Sequence, residues 1–186
     1  MSESLITKKA IATGLKEICK IKSVEKISIQ DITNSCGLNR QTFYYHFQDK
    51  YELLNWIYYN ELFIKVIDGI DFDNWDLRIY NMLERMKEEK AFYINTIKSS
   101  EEYFQEYLFK ITSTLFKEAI QKLDEHNKVS EEERNFTSQF YSFGVCGVIL
   151  SWVKGGMKES TKTVSDNLKK LAMNTEKLGY EIYSST

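Results

Sequence analysis

The 186-residue chain contains no proline. Proline breaks helices from within, because it lacks an N–H and its ring clashes with the preceding turn. A chain without it is free to build long helices. Glycine is sparse, at eight residues, and nowhere forms a loop able to cradle phosphate. The two histidines, His46 and His126, are widely separated, and no His, Cys, Asp or Glu set stands at metal-ligand spacing. With no serine elbow either, the sequence offers no catalytic constellation, is not expected to be an enzyme, and implies no metal or cofactor. His126, beside Asp124 and Glu125, is expected at an exposed helix end. The three cysteines, Cys19, Cys36 and Cys146, are scattered and odd in number. They make neither a disulfide framework nor a zinc site, which points to a reducing cytoplasm. No apolar run is expected to be long enough to cross a bilayer, and MSESLITKK lacks the apolar core of a signal peptide.

What is present is helical. Apolar residues recur at steps of three and four along nearly the whole chain, which predicts an all-α fold. The net charge of −2 excludes a generic nucleic-acid coat, but its distribution is uneven. Residues 1–50 hold eight Lys/Arg against five Asp/Glu, a net of +3, and the rest hold 17 against 22, a net of −5. A basic head on an acidic body orients head-first toward DNA.

The stretch that organises the chain is Ser28 to Leu54, SIQDITNSCGLNRQTFYYHFQDKYELL. Ser28 and Asp31 predict a capping box that opens a helix with Ile29, Ile32 and Cys36 on one face. Gly37 ends it in a left-handed turn. Asn39 caps a second helix of about two turns, on which Phe43 and Phe47 face the core. Arg40, Gln41, Thr42, Tyr44 and His46 are left largely outward. A helix this short with so few apolar residues exposes those side chains for contact. Arg suits guanine, Gln suits adenine, and Thr and Tyr hydroxyls suit phosphates. Tyr45 is either core or a phosphate contact, and His46 either packs or contacts phosphate. Asp49 caps a third helix with Glu52 at the capping-box position. Lys50 in its first turn opposes the macrodipole and makes sense if a phosphate docks there.

The run G-L-N-R-Q-T-F-Y-Y-H-F-Q-D-K-Y-E-L-L resembles the DNA-binding signature of the TetR family of bacterial regulators. Gly37, Leu38, Asn39, Thr42, Phe43, Tyr44, His46, Phe47, Lys50, Leu53 and Leu54 match its pattern in register. Thr33 departs from it, standing where the family usually has alanine between the two helices. The resemblance implies phosphate contacts from Thr42, Tyr44 and Lys50, and base-edge contacts from Arg40, Gln41 and Gln30. Ser28, Asn39, Tyr45 and His46 complete the expected DNA-binding set.

Residues 4–21 form the brace helix, with Ile11, Leu15, Ile18 and Cys19 as its stripe. A long helix runs from Lys50 to about Asp68-Gly69, carrying Leu54, Ile57, Tyr58 and Leu62. DFDNW at 71–75 is the clearest break. The domain boundary is expected inside the linking helix near residue 50, where the head's three-helix core closes, and the resemblance then implies a DNA-binding head, 1–50, and a helical effector-binding and dimerisation bundle, 51–186. In the family, middle helices of the body enclose a small inducer. Tyr80, Tyr93, Phe104, Tyr107 and Phe140 are the candidates for such a pocket, against the alternative that they are plain core. Ser130 and Glu133 form another capping box, opening a helix that Gly155-Gly156 stops. Together with a final helix over about 161–178, it resembles the family's dimerisation element. Phe143, Gly144, Gly147, Leu168 and Leu171 are its candidate interface, against simple intrachain packing of small residues.

Function follows from the resemblance. It implies a dimeric, sequence-specific transcriptional regulator of an operator in double-stranded DNA, most simply a repressor released by a small-molecule effector. R-Q-T-F-Y-Y-H-F-Q-D-K-Y-E-L-L-N-W-I-Y, with E-K-A-F-Y further on, is similar to the branch that includes the activator of dihydroxyacetone kinase operons. That likeness implies an alternative, an activator governed by a regulatory protein partner. A closed ligand-sized cavity would favour the first reading and a filled core with an exposed apolar groove the second.

Overall fold

The computed structural model describes residues 3–184 except 72, 125 and 126, with the backbone alone over 175–184. His126 lies outside the described residues. Those described form helices and short connections without a strand. Helix α1 spans Glu3–Cys19, α2 Ile29–Ser35, α3 Arg40–His46 and α4 Lys50–Ile57. A 3₁₀ turn, Val24–Lys26, joins α1 to α2. The body holds α5 (Ile64–Ile67), α6 (Trp75–Glu88), α7 (Lys90–Ser99), α8 (Glu101–Leu123), α9 (Glu131–Lys154) and α10 (Thr161–Ser184).

In the head, α1 crosses α2 and packs on α3 and α4. Ile11, Leu15, Ile32, Phe43, Leu53 and Leu54 are fully buried there. The α1–α2 crossing is close because Gly14 has no side chain. A Cβ built on it would stand 2.5 Å from Ser35 Oγ and 3.1 Å from the Ile32 carbonyl oxygen. The apolar core runs without interruption from these residues into the body.

The linking helix is not the regular α-helix expected from Lys50 to Asp68. Between α4 and α5 it widens into a π-helical segment, Tyr58–Phe63, in which the Ile64 N–H reaches back five residues to the Tyr59 carbonyl. The packing explains the widening. Tyr58 and Phe63 are both fully buried, yet at 3.6 residues per turn two side chains five apart diverge by roughly 140°. The wider turn brings both to one side. Tyr58 then stacks on Tyr93 at 6.1 Å and donates to Thr96 Oγ1 at 2.7 Å, while Phe63 meets Phe104 at 5.2 Å.

In the body, α8 and α9 pack as an antiparallel hairpin, with Phe109 against Phe143 at 4.7 Å and Phe116 against Tyr141 at 5.3 Å. Helix α9 begins at the expected capping box of Ser130 and Glu133. Helix α10 lies antiparallel on α6, held by Lys169–Asp76 at 2.5 Å, by Thr161–Glu84, and by buried Val164 and Leu168. Contrary to expectation, one helix does have the length and composition of a membrane span. An 18-residue window of α9 has mean hydropathy 1.2. One face of that helix covers α8, and its first turn carries Glu131, Glu132 and Glu133.

Candidate DNA-binding surface

Helix α2 is set by the predicted capping box. Ser28 Oγ accepts from Asp31 N–H at 3.1 Å and donates to Asp31 Oδ2 at 2.9 Å. The same carboxylate accepts from Ser28 N–H at 2.8 Å and Lys22 Nζ at 2.6 Å. The Lys22 hydrogen bond, then those from Ser28, hold the Asp31 carboxyl down at about 2. The Ser28 hydroxyl is thus engaged in the cap that orients α2. Gln30, on the exposed side, donates to Asn34 Oδ1 at 2.6 Å. Thr33 is buried and donates to the Gln30 carbonyl at 3.2 Å, so the departure from alanine is absorbed within its own helix.

The turn between α2 and α3 needs Gly37, whose φ of +68° is costly for any residue with a side chain. Asn39 Oδ1 then accepts from Thr42 N–H at 2.8 Å and Thr42 Oγ1 at 3.1 Å, capping α3. Phe43 and Phe47 bury one side of α3 completely. Opposite them stand Arg40, Gln41, Tyr44 and Tyr45, all exposed, with Thr42 and His46 half-buried. Tyr45 is 83% exposed, which settles it as a surface residue. Arg40 lies over the Tyr44 ring, 5.9 Å from its centroid, and donates to its hydroxyl at 3.3 Å. This keeps the guanidinium extended along the open face. His46 meets the edge of Tyr45 at 5.0 Å.

Lys50 departs from the expectation of a phosphate contact. Its ammonium donates to the carbonyls of Val24, Glu25 and Ile27 at 2.8, 2.8 and 2.9 Å. An ammonium has three protons, and all three are given to the 3₁₀ turn and the residue that closes it. Burial lowers its pKa, against the opposing pull of Glu25 and Asp49. Asp49 accepts from Tyr51 and Glu52 N–H as predicted, but the Glu52 carboxylate takes the N–H of Gln48 rather than of the cap residue.

The five pocket candidates do not line one cavity: three share a packed aromatic cluster and two lie apart from it. Tyr93 and Phe104 are fully buried among Tyr58, Phe63 and Phe92. Tyr107 leans on Phe63 and Tyr59. Tyr80 sits half-buried on α6, and Phe140 lies 66% exposed on α9. Large aromatic side chains fill the volume that a ligand would take. A recess of about 190 Å³ lies elsewhere, between the π segment and α6, and opens to the surface. Glu61, Lys65, Arg78 and Arg85 are its charged walls.

The interface candidates divide. Phe143 and Leu171 are exposed, as are Gly144 and Gly147. A Cβ built on either glycine meets nothing within 4 Å, so intrachain packing does not account for them. With Phe136 at 71% exposed and Val148 at 46%, they form an apolar stripe along the outer face of α9. Leu168 is corrected: it is 5% exposed, on the buried side of α10 with Val164. Its step of four from Val164 points it at α6 rather than outward.

Sequence reasoning missed the residues that join head to body. Lys16 on α1 pairs with Glu61 at 2.5 Å and Glu89 at 3.3 Å, and Arg85 holds Glu89 at 2.7 Å. Asn95 on α7 bonds to three backbone groups of the head. Contacts between residues 45 to 76 positions apart leave no local pattern in the sequence.

Comparison with known proteins agrees with this architecture. Residues 22–57 match the family described as bacterial regulatory proteins, tetR family, and residues 73–174 match a transcriptional regulator C-terminal region. The chain is 28% identical over 172 residues to the HTH-type dhaKLM operon transcriptional activator DhaS of Lactococcus lactis subsp. lactis, covering 90% of this chain and 91% of the relative. A solved dihydroxyacetone kinase operon activator DhaS superposes with a TM-score of 0.75 at 24% identity, covering 94% and 98% of the two chains. NalD, the secondary repressor of the MexAB-OprM multidrug efflux pump in Pseudomonas aeruginosa, superposes at 0.61 with 17% identity over 93% and 96%. With a helix-turn-helix head and a helical body each matched, the chain belongs to the TetR family of bacterial transcriptional regulators.

Proposed function

We propose that two copies of the chain bind a two-fold operator, each placing α3 in the major groove. The observation that carries this is the division of α3 into a closed apolar side and an open polar one. Gln30, Arg40 and Gln41 face base edges. Thr42, Tyr44, Tyr45 and His46 face phosphates, while Ser28 and Asn39 orient the helices through their caps. Lys50 acts from inside the head. The outer faces of α9 and α10 pair the copies through Phe136, Phe140, Phe143, Gly144, Gly147 and Leu171, because one head offers too few contacts to hold an operator alone. Such a dimer works in the cytoplasm, where its DNA is.

The signal reaches the surface of the body rather than a chamber inside it. Two observations support this reading over release by an enclosed small molecule. The aromatic centre of the body is filled, and the chain is similar over nine-tenths of its length to an operon activator. The reading is accordingly an activator whose activity a protein partner controls. The first test titrates the chain against DNA from upstream of its own gene and against random DNA, at two salt concentrations. Tight, salt-sensitive and selective binding supports direct operator recognition. Equal affinity for both duplexes counts against that site and makes addition of the partner the next arm.

A further inference from the structure

Beside the Lys16 ion pairs and the shared apolar core, one carboxamide joins head to body through backbone groups alone. Asn95 Nδ2 donates to the carbonyls of Cys19 and Lys22, both at 2.8 Å, and its Oδ1 accepts from Val24 N–H at 2.9 Å. Only this orientation of the amide works, since turning it over sets its N–H against the N–H of Val24 and its oxygen against two carbonyls. The three partners are the last residue of α1 and the turn leading to α2. All are backbone groups, so the contact depends on where the chain runs and not on which side chains the turn carries.

The same turn is gripped from its other side by Lys50 through the carbonyls of Val24, Glu25 and Ile27. Val24 therefore gives its N–H to α7 and its C=O to α4, with its side chain fully buried. Lys22, whose carbonyl Asn95 holds, pairs through its ammonium with Asp31 in the cap of α2. One residue along α7, Thr96 accepts from Tyr58 in the π segment at 2.7 Å. Helix α7 is thus bonded at adjacent positions to the head's turn and to the linking helix, and from the turn the bonds continue to the start of α2.

We infer that Asn95 is a positioning residue for DNA recognition: it fixes the angle of the helix-turn-helix to the body, and so the separation of the two α3 helices in a dimer. The inference rests on the DNA-binding reading above. Loss of the carboxamide frees the head to sample angles that no longer fit two half-sites at once. Non-specific binding, which follows charge, does not need that angle.

The test compares the full-length chain with Asn95→Ala and Asn95→Gln, the second keeping the amide but displacing it by a methylene. Spin labels at exposed Thr13 on α1 and Glu102 on α8, in a Cys36→Ser background diluted with unlabelled chain, read the head-to-body distance within one protomer. Affinity is measured for a duplex selected by the wild type from a random pool and for a random duplex, beside the melting temperature. Asn95→Ala is expected to broaden the distance distribution and weaken the selected duplex at least tenfold, with random-duplex affinity within twofold. Asn95→Gln is expected to recover melting temperature but neither distance width nor selectivity. An unchanged distance distribution with selectivity retained overturns the inference. So do width and selectivity that simply follow melting temperature through the three proteins. If the wild type selects no duplex, the DNA-binding reading fails, and the distance arm still decides the role of Asn95.

Discussion

Replacing Gly147 by alanine separates the packing of one protomer from the packing of two. A Cβ at this position meets nothing within 4 Å in its own chain. It lies well inside α9, whose span is Glu131–Lys154, so alanine stabilises the isolated protomer by about 1 kcal/mol through helix propensity. In the dimer proposed above, the same methyl group would stand where a second helix comes close. Overpacking costs roughly 1–3 kcal/mol per site. Taking the low end, about 1 kcal/mol at each of two symmetry-related sites, the dimer weakens roughly thirtyfold. Protomer stability is read by urea unfolding in a Phe140→Asp background that holds the chain monomeric. Dimer affinity is read by sedimentation of the single Gly147→Ala variant over a concentration series. The expected result is opposite signs, with a protomer more stable and a dimer weaker. A raised protomer stability with an unchanged dimer constant would falsify close helix approach at Gly147. A lowered protomer stability would show that the space beside this glycine is not empty.

Phe140→Asp, at a ring exposed over two thirds of its surface, should leave the chain monomeric at micromolar concentration in the ultracentrifuge without lowering its helical circular dichroism. A persistent dimer would move the interface off α9. Arg40→Ala should cost about 1–3 kcal/mol on the selected operator and relax base preference at one position per half-site, as read by competition with single-base variants. Uniform weakening on all sequences would make Arg40 a phosphate contact. Lys50→Ala removes the ammonium from three carbonyls, of which, among the described residues, only that of Val24 keeps a second donor, the Ile27 N–H, so it should lower the head's stability by about 1–3 kcal/mol while the salt slope of random-DNA binding stays put. A flatter slope would restore Lys50 to the phosphates. Asp31 is held at about 2 against an ordinary 3.8, chiefly by Lys22. A carboxyl depressed in the folded state stabilises above its unfolded value, and that contribution disappears as pH falls from near 4 through 2. The stability gap between wild type and Asp31→Asn should therefore narrow over that window, and a gap independent of pH would show that the carboxylate charge is not what matters.

The head was largely legible because its determinants are local. The caps at Ser28, Asn39, Asp49 and Ser130 act within three residues, and all four side chains cap their helices, although the box expected between Asp49 and Glu52 does not close. Phe43 and Phe47, at a step of four, show which side of α3 closes. The body was legible as helices but not as packing. Tyr93, Phe104 and Phe140 all read as aromatic residues at helical steps, yet two are fully buried and the third is exposed. Periodicity shows that an element has two sides and says nothing of which neighbour covers each. The π segment was hidden for a related reason, since its cause is the joint burial of Tyr58 and Phe63 against helices that come thirty or more residues later.

Lys50 shows how the same residue at the same position carries different physics. Near the start of α4 a lysine has two sources of compensation for the unfavourable end of the helix dipole, a phosphate outside or carbonyls inside. The inside solution depends on whether another segment presents carbonyls within reach, and here Val24, Glu25 and Ile27 supply three of them. Asn95 holds the same connection from the body, through the Val24 N–H and the carbonyls of Cys19 and Lys22. On the binding reading proposed above, a charge drawn inward in this way would act through the angle of the head, where an outward lysine acts through counterion release. Salt dependence separates the two at a single residue, because an angular effect acts on selectivity and leaves the slope of random binding untouched.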